Sequence, residues 1–269
     1  VDGAEGRMLR LMCGASSVTC SPCHYEKLRA LYARYGGAAQ NASAAAPSAS
    51  KRKKRASAGQ GGFETAAFCA LARLHALQGA NTRAGGMQAA VHGEVFDVLH
   101  QDFGCVAECF ASPLNCRWGR FCSAASDVDW PFGSLGSFLH FRPKNGSFQA
   151  NPPFDAETVE AMAAHMEVLL GIAEKTGEAL CFVVVIPSWP DKTCWQALND
   201  SKYRRVIVPL LQVDHGYCEG GQHYRKCRYR QANHDSTIFV LQSAAAKQRW
   251  AVTEPKLKRL VEAFRPRAR

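Results

Sequence analysis

Apolar positions along this chain change period several times, and each change marks an element. Tyr25, Leu28, Leu31, Tyr32 and Tyr35 recur at helical spacing, Phe63 to Leu77 carries a second stripe, and Val95, Phe96, Leu99 and Phe103 a third. The N-terminal third therefore reads as helices. The pattern then turns to strands. Cys105-Val-Ala-Glu-Cys-Phe-Ala111 reads as the first core strand, and Gly146-Ser-Phe-Gln-Ala150 as a short strand running into Asn151-Pro-Pro-Phe154. Asp155 stands as N-cap or first-turn acid of an amphipathic helix reaching Leu170, with Val159, Met162, Ala163, Met166, Leu169 and Leu170 at helical spacing. Ala179 to Ile186 is continuously apolar, too short to span a bilayer, and predicts a central strand buried on both faces. A last strand is expected over Thr237 to Gln242. The tetrapeptide thus lies on a strand-to-helix loop at the carboxyl end of a strand, where open α/β sheets hold their ligands.

Asn151-Pro152-Pro153-Phe154 has the chemistry needed to act on the exocyclic amine of adenine. That amine is a poor nucleophile because its lone pair is delocalised into the ring. Two acceptors, the side-chain carbonyl of Asn151 and the main-chain carbonyl of Pro152, can hold its N–H bonds and turn the lone pair out of the plane. Each proline fixes φ and lacks a competing N–H, and Pro153 also restricts Pro152. Phe154 offers a face on which a base stacks, a contact worth roughly 1–3 kcal/mol. A plain Pro-Pro turn between strand and helix is the alternative.

Charge adds a polyanionic partner to this picture. The chain holds 33 Lys+Arg against 23 Asp+Glu, a formal net charge of +10. Part of the excess is one run, Lys51-Arg-Lys-Lys-Arg55, inside an Ala/Ser/Gly stretch that predicts a disordered insertion over about 37–62. The run reads as a nuclear localisation signal, a sequence-independent RNA tether or a solubilising loop. A second block, Tyr224-Arg-Lys-Cys-Arg-Tyr-Arg230, interleaves aromatics with cations and makes Arg225 and Arg228 candidates for phosphate contact, or else a charged edge strand. No apolar run is long enough for a membrane span. Twelve cysteines without the dense spacing of a disulfide scaffold fit free thiols in a reducing compartment. Cys20-Ser-Pro-Cys23-His24 is half a zinc site with no second Cys-x-x-Cys, so no metal is expected. The first residue is Val1, which leaves a fragment as a reading.

Several short blocks share their order with one known family. They are Gly86-Met-Gln-Ala-Ala90 with Val95-Phe96, Glu108 to Asn115, Phe132-Gly-Ser134, Gly146 to Phe154, Ile186-Pro-Ser-Trp189, His215-Gly-Tyr217, Gln222-His223 and Asn233-His234. Together they make roughly residues 20–36 and 63–264 resemble the phosphorylated CTD interacting factor family, the cap-specific adenosine N6-methyltransferases. The resemblance implies an α/β class I S-adenosylmethionine-dependent methyltransferase, Rossmann-like, with an N-terminal helical region over 1–103 and the methyltransferase domain over 104–269. Catalysis falls to Asn151, Pro152, Pro153 and Phe154. The cofactor is expected on Ala111, Ser112, Pro113 and Asn115, beside Phe132, Gly133 and Ser134, and next to Asn151, with Asp127 and Asp129 as available acids and Glu108, which reads equally as a paired structural carboxylate, ranked below Ser112 and Asn115. Capped mRNA is expected against Trp189, Pro190, Val213, Asp214 and His215, with Lys27, Arg29, Arg34 and Arg73 as candidate cap-phosphate contacts. The paired Trp spacing and Pro-rich binding face of a WW module are not found, so the module is expected to be absent and recruitment to the RNA polymerase II tail unsupported. The implied location is the nucleus. Two alternatives stay open: N6-adenine methylation of another RNA or DNA, and a non-catalytic RNA-binding homologue.

Overall fold

The computed structural model describes residues 8–36, 62–78, 89–218 and 229–265. Its N-terminal part is not purely helical. A hairpin of β1 (Leu9–Cys13) and β2 (Ser16–Cys20) turns at Gly14, whose φ of 58° suits a residue without a Cβ, and it corrects the expectation of helices alone. The hairpin escaped the sequence reading because its strands are five residues each and only Val18 and Cys20 are buried. Helix α1 (Pro22–Tyr35) begins after Ser21, whose hydroxyl caps the N–H of His24, with Pro22 in its first turn. Helix α2 (Phe63–Gln78) lies against α1 and the hairpin around Val18, Cys20, Leu28, Leu71, Leu74, Leu114 and Phe132.

Helix α3 (Gly93–Phe103) stops at Gly104, which has φ 68°; a Cβ there would lie 2.1 Å from the Trp250 indole nitrogen. The chain then enters a mixed five-stranded sheet of order β3-β4-β5-β9-β6. Strands β3 (Cys105–Glu108), β4 (Gly146–Ala150) and β5 (Leu180–Pro187) are parallel, while β9 (Ser236–Gln242) runs antiparallel to both β5 and β6 (Arg204–Leu210). Every residue of β5 is buried, as its unbroken apolar run requires. One face of the sheet is covered by α5 (Ala156–Thr176) and α6 (Thr193–Asn199), through Val159, Met162, Met166, Leu170 and Leu198 on Phe148, Phe182, Val184 and Phe239. Across the other lie α3, α7 (Ala244–Arg249) and α8 (Glu254–Phe264), placing Val95, Leu99, Ala246, Leu260 and Phe264 on Cys181, Val183, Val185, Ile238 and Val240.

Strand β3 is shorter than expected and sits at the sheet edge. Past Glu108 the chain leaves the ladder, and single parallel bridges, Glu108 to Phe121 and Phe121 to Ser134, continue the edge instead. Between those bridges lies the short helix α4 (Ser126–Asp129). A small antiparallel pair, β7 (Gly216–Cys218) and β8 (Tyr229–Gln231), completes the described strands. The expected insertion, apart from Gly62, falls outside the described residues, as do Lys51 to Arg55, Arg225 and Arg228. Among the described residues no helix is long and apolar enough to cross a membrane, no cysteine forms a disulfide, and no group of three His, Cys, Asp or Glu side chains is placed to hold a metal.

Candidate active site

Strand β4 delivers Asn151 to the carboxyl edge of the sheet, and Asp155 starts α5 by accepting the Thr158 N–H at 2.8 Å. Between them the tetrapeptide borders a cavity of about 240 Å³ whose lining includes Ala89, Phe110, Ala111, Asn115, Ser123, Phe138, Asn151 and Pro153. The Asn151 amide is half used. Its Nδ2 donates to the Ala89 carbonyl at 3.1 Å, which orients the side chain, while Oδ1 is buried with no hydrogen-bond partner. A buried acceptor left unmatched costs about 1–3 kcal/mol, and folding keeps it here at the mouth of a ligand-sized space. The Pro153 carbonyl is taken by the Asp155 N–H at 2.9 Å, so Pro152 carries the remaining proline carbonyl. Phe154 is half-buried, with Tyr217 and His234 set nearly perpendicular to its ring at centroid distances of 5.8 and 5.5 Å.

The turn after β3 is braced from inside and outside. Asn115 Oδ1 accepts from the Ser112 N–H at 2.7 Å and the Ser112 hydroxyl at 3.0 Å, and the Ser112 carbonyl accepts from Cys116 N at 2.9 Å. From α1, Lys27 Nζ donates to the carbonyls of Leu114 at 2.9 Å and Cys116 at 2.6 Å. Lys27, read from the sequence as a candidate phosphate contact, is thus spent on holding this turn. Ala111 and Asn115 border the main cavity, whereas Ser112 and Pro113 line a separate space of about 30 Å³ with Arg73 and Asp129.

Phe132 is fully buried in the α1–α2 core, and Gly133, at φ 102°, lies so close under Gly119 and Tyr35 that no side chain fits. Neither lines the cavity, whose described lining lacks both. Ser134 approaches it through Ser123, hydroxyl to hydroxyl at 2.7 Å. Glu108 is a buried structural carboxylate. It accepts from the N–H groups of Arg117 at 2.8 Å and Trp118 at 3.2 Å, and burial pushes its pKa up to about 7. Burial also lifts Asp129 to about 7 against the hydrogen bond with Ser123, while Asp127 is paired with Arg73 at 2.6 Å.

The two loops expected to bind the cap leave the sheet on either side of Ser236, and both bond Asp235, through Ser188 N at 2.9 Å and Gln212 N at 2.7 Å. Trp189 packs half-buried on the α5 side of the core, with Lys192 Nζ 4.0 Å above its ring, and the neighbouring Pro190 is exposed. Val213 and Asp214 sit on a short 3₁₀ turn, Val213 at 68% exposure. His215 is fully buried, its Nδ1 bonded to the Leu211 carbonyl at 2.7 Å and its Nε2 to Ser236 Oγ at 2.8 Å, so it acts as scaffold. Arg29 pairs with Glu26, and Arg34 lies over Tyr35. Sequence reasoning overlooked Ala89, Ser123 and Phe138 as cavity walls. Ser123 and Phe138 belong to no local motif and reach the site through the edge bridges, while Ala89, within the Gly86 to Ala90 block, reaches it on the approach to α3.

Comparison with known proteins gives this geometry a family. Residues 27–220 match a family model described as the phosphorylated CTD interacting factor 1 WW domain. Over 207 residues the chain is 37% identical to a Mus musculus protein named mRNA (2'-O-methyladenosine-N(6)-)-methyltransferase, and 38% identical to the Homo sapiens protein of that name. Each alignment covers 75% of this chain and 29% of the relative, so the chain spans less than a third of their length. The expected absence of a WW module is overturned by the family match, and with it the ground on which polymerase-tail recruitment was read as unsupported. That expectation rested on a missing paired-Trp signature, and the model is matched without it, across most of the folded body. By this match and these identities, the chain belongs to the phosphorylated CTD interacting factor 1 family.

Proposed function

We propose that this chain is the catalytic portion of a class I, Rossmann-like methyltransferase that methylates N6 of the adenosine next to an mRNA cap. The observation that carries the reading is the unpartnered Asn151 Oδ1 beside the cavity at the end of β4. Parallel strands with helices on both faces, and a site at their carboxyl ends, support the fold assignment. S-adenosylmethionine supplies an electrophilic methyl group when bound. The cavity suits it, since small Ala111 lets the backbone come close, Asn115 and Ser123 give polar contacts, and Phe110 and Phe138 give apolar walls.

Asn151 Oδ1 accepts one N6–H of adenine and the Pro152 carbonyl accepts the other, which aims the nitrogen lone pair at the cavity. Both acceptors are fixed before substrate arrives, Asn151 by its bond to Ala89 and Pro152 by the ring of Pro153. Phe154 holds the base from its face. The proton released from N6 after methylation passes to solvent. Capped mRNA as substrate follows the names of the relatives, and the basic run at Lys51 to Arg55 supports a nuclear location.

The test is methyl transfer to matched short RNAs, capped and uncapped, beginning with A or G. Transfer to N6 of the capped A-start RNA far above the other three is expected. Equal transfer to capped and uncapped RNA removes the cap from the proposal, and transfer to none removes the enzyme. A cap-independent adenine N6-methyltransferase is the second reading. It is favoured by the cation already lying over Trp189 and by the burial of His215.

A further inference from the structure

We infer that His234 is a further substrate-binding residue, its Nε2 accepting a hydrogen bond from a ribose 2′-hydroxyl of the strand that presents the adenine. This deepens the adenine methylation reading and rests on it. His234 follows β8 on the turn into β9, with its ring edge-on to Phe154 at 5.5 Å and stacked with Tyr217 at 6.5 Å. Polar groups around it satisfy one another. Tyr217 Oη and His215 Nε2 share Ser236 Oγ, each at 2.8 Å, and His215 Nδ1 is bonded to Leu211. One nitrogen is left over, since His234 Nε2 is buried without a partner.

The other ring nitrogen fixes what Nε2 can do. Nδ1 lies 2.5 Å from Asn233 Oδ1, an acceptor, so the proton resides on Nδ1 and Nε2 carries a lone pair. Burial, with His215 nearby, lowers the His234 pKa, which keeps the ring in this neutral form. Nε2 therefore requires a donor from outside the protein. On an adenosine whose two N6–H bonds are taken by Asn151 and Pro152, the base has no donor left. The remaining donors along an RNA strand nearest the sugar are 2′-hydroxyls, on the target nucleotide or, where that oxygen is methylated, on its neighbour. DNA has none. His234 would thus let the site favour RNA over DNA without reading sequence.

The experiment uses the whole chain and capped oligonucleotides beginning with A, in which the target and its 3′ neighbour are ribo, deoxy or 2′-O-methyl, with strand affinity read by fluorescence anisotropy and methyl transfer measured in parallel. Wild type should favour ribo over fully deoxy strands roughly tenfold. His234→Phe keeps an aromatic ring against Phe154 and Tyr217 but deletes the nitrogen, and should bring that ratio close to one. His234→Gln, which restores a side-chain acceptor, should recover part of it, and Asn233→Ala, which frees the tautomer, should weaken it. Unchanged discrimination in His234→Phe, or a wild type indifferent to the sugar, overturns the inference. If Phe at this position prevents folding, the Gln and Ala variants decide by the same ratio. Absence of transfer to every strand would overturn the methylation reading instead, while the affinity ratio still judges His234.

Discussion

Replacing Asn151 by Ala removes a side-chain acceptor that the fold leaves buried and unmatched at the cavity. The structural cost is limited. The Nδ2 bond to Ala89, 3.1 Å, is lost and one carbonyl is left without that donor, a loss of about 1–3 kcal/mol in stability, which a melting curve reads directly. The catalytic cost is larger, because the Oδ1 contact strengthens as positive charge develops on the attacking nitrogen. Removing one preorganised polar contact of this kind lowers kcat by about 10²–10³ in other enzymes. Since the contact belongs chiefly to the transition state, kcat and kcat/KM should fall together. Cofactor affinity, measured by calorimetry, should stay within a few-fold. A variant that keeps more than a tenth of wild-type kcat while folding normally would refute the role given to Asn151, and a collapse of cofactor affinity would move Asn151 from the amine to the cofactor.

Phe154→Ala should raise KM for RNA far more than the dissociation constant for cofactor, and should lower the melting temperature because Tyr217 and His234 lose a packing partner; equal damage to both ligands would make Phe154 structural. Lys27→Met should loosen the Ala111 to Cys116 turn and weaken cofactor binding roughly tenfold by calorimetry; unchanged cofactor affinity with a flatter salt dependence of RNA binding would instead assign Lys27 to phosphate. Glu108 has its pKa raised from 4.5 to about 7 by burial, so the folded chain holds a proton that the unfolded chain has released between those values. Its contribution is complete below pH 4.5 and lost as pH rises through 7, about 3 kcal/mol in all, so Glu108→Gln should flatten that decline in urea-unfolding free energy; an unchanged slope would refute it.

The chain displays its centre more openly than its edges. Residues 180–187 and the face Val159, Met162, Met166 and Leu170 announce themselves because burial imposes a period, and Asn151 to Phe154 because two adjacent prolines are costly anywhere but a loop. Asp155 was legible for the same local reason: a cap is a bond between near neighbours in sequence. The cavity walls were not. Ser123 and Phe138 reach the site through the bridges from Glu108 to Phe121 and Phe121 to Ser134, single contacts that leave no period. Charge was read least well. Lys27 resembled a surface cation until α1 was seen to bring it onto two main-chain carbonyls from residues 87 and 89 positions away, and His215 resembled a loop ligand until both of its nitrogens were found bonded. The hairpin Leu9 to Cys20 was missed because ten short-strand residues with two buried side chains carry too little alternation to compete with the helical stripes beside them.

Why the acceptor at 151 is an amide rather than a carboxylate follows from its surroundings. Two carboxyls nearby in the fold, Glu108 and Asp129, are both driven by burial to a pKa of about 7, so this part of the molecule disfavours a buried negative charge near neutrality. An amide offers its acceptor at every pH and keeps a donor for the Ala89 carbonyl. Asn151→Asp preserves the shape and exchanges that independence for a titration. Its ionised form loses the Ala89 bond and sets a negative charge against a carbonyl, while its protonated form can restore the bond but is a weaker acceptor for the amine. Transfer by the variant should therefore climb with pH across an ionisation absent from wild type, reaching a plateau only where the carboxyl is charged. The measurement is kcat against pH for both proteins on one capped RNA. Parallel profiles would mean that the side chain at 151 does not touch the reacting amine, and the orphaned Oδ1 would then need another ligand.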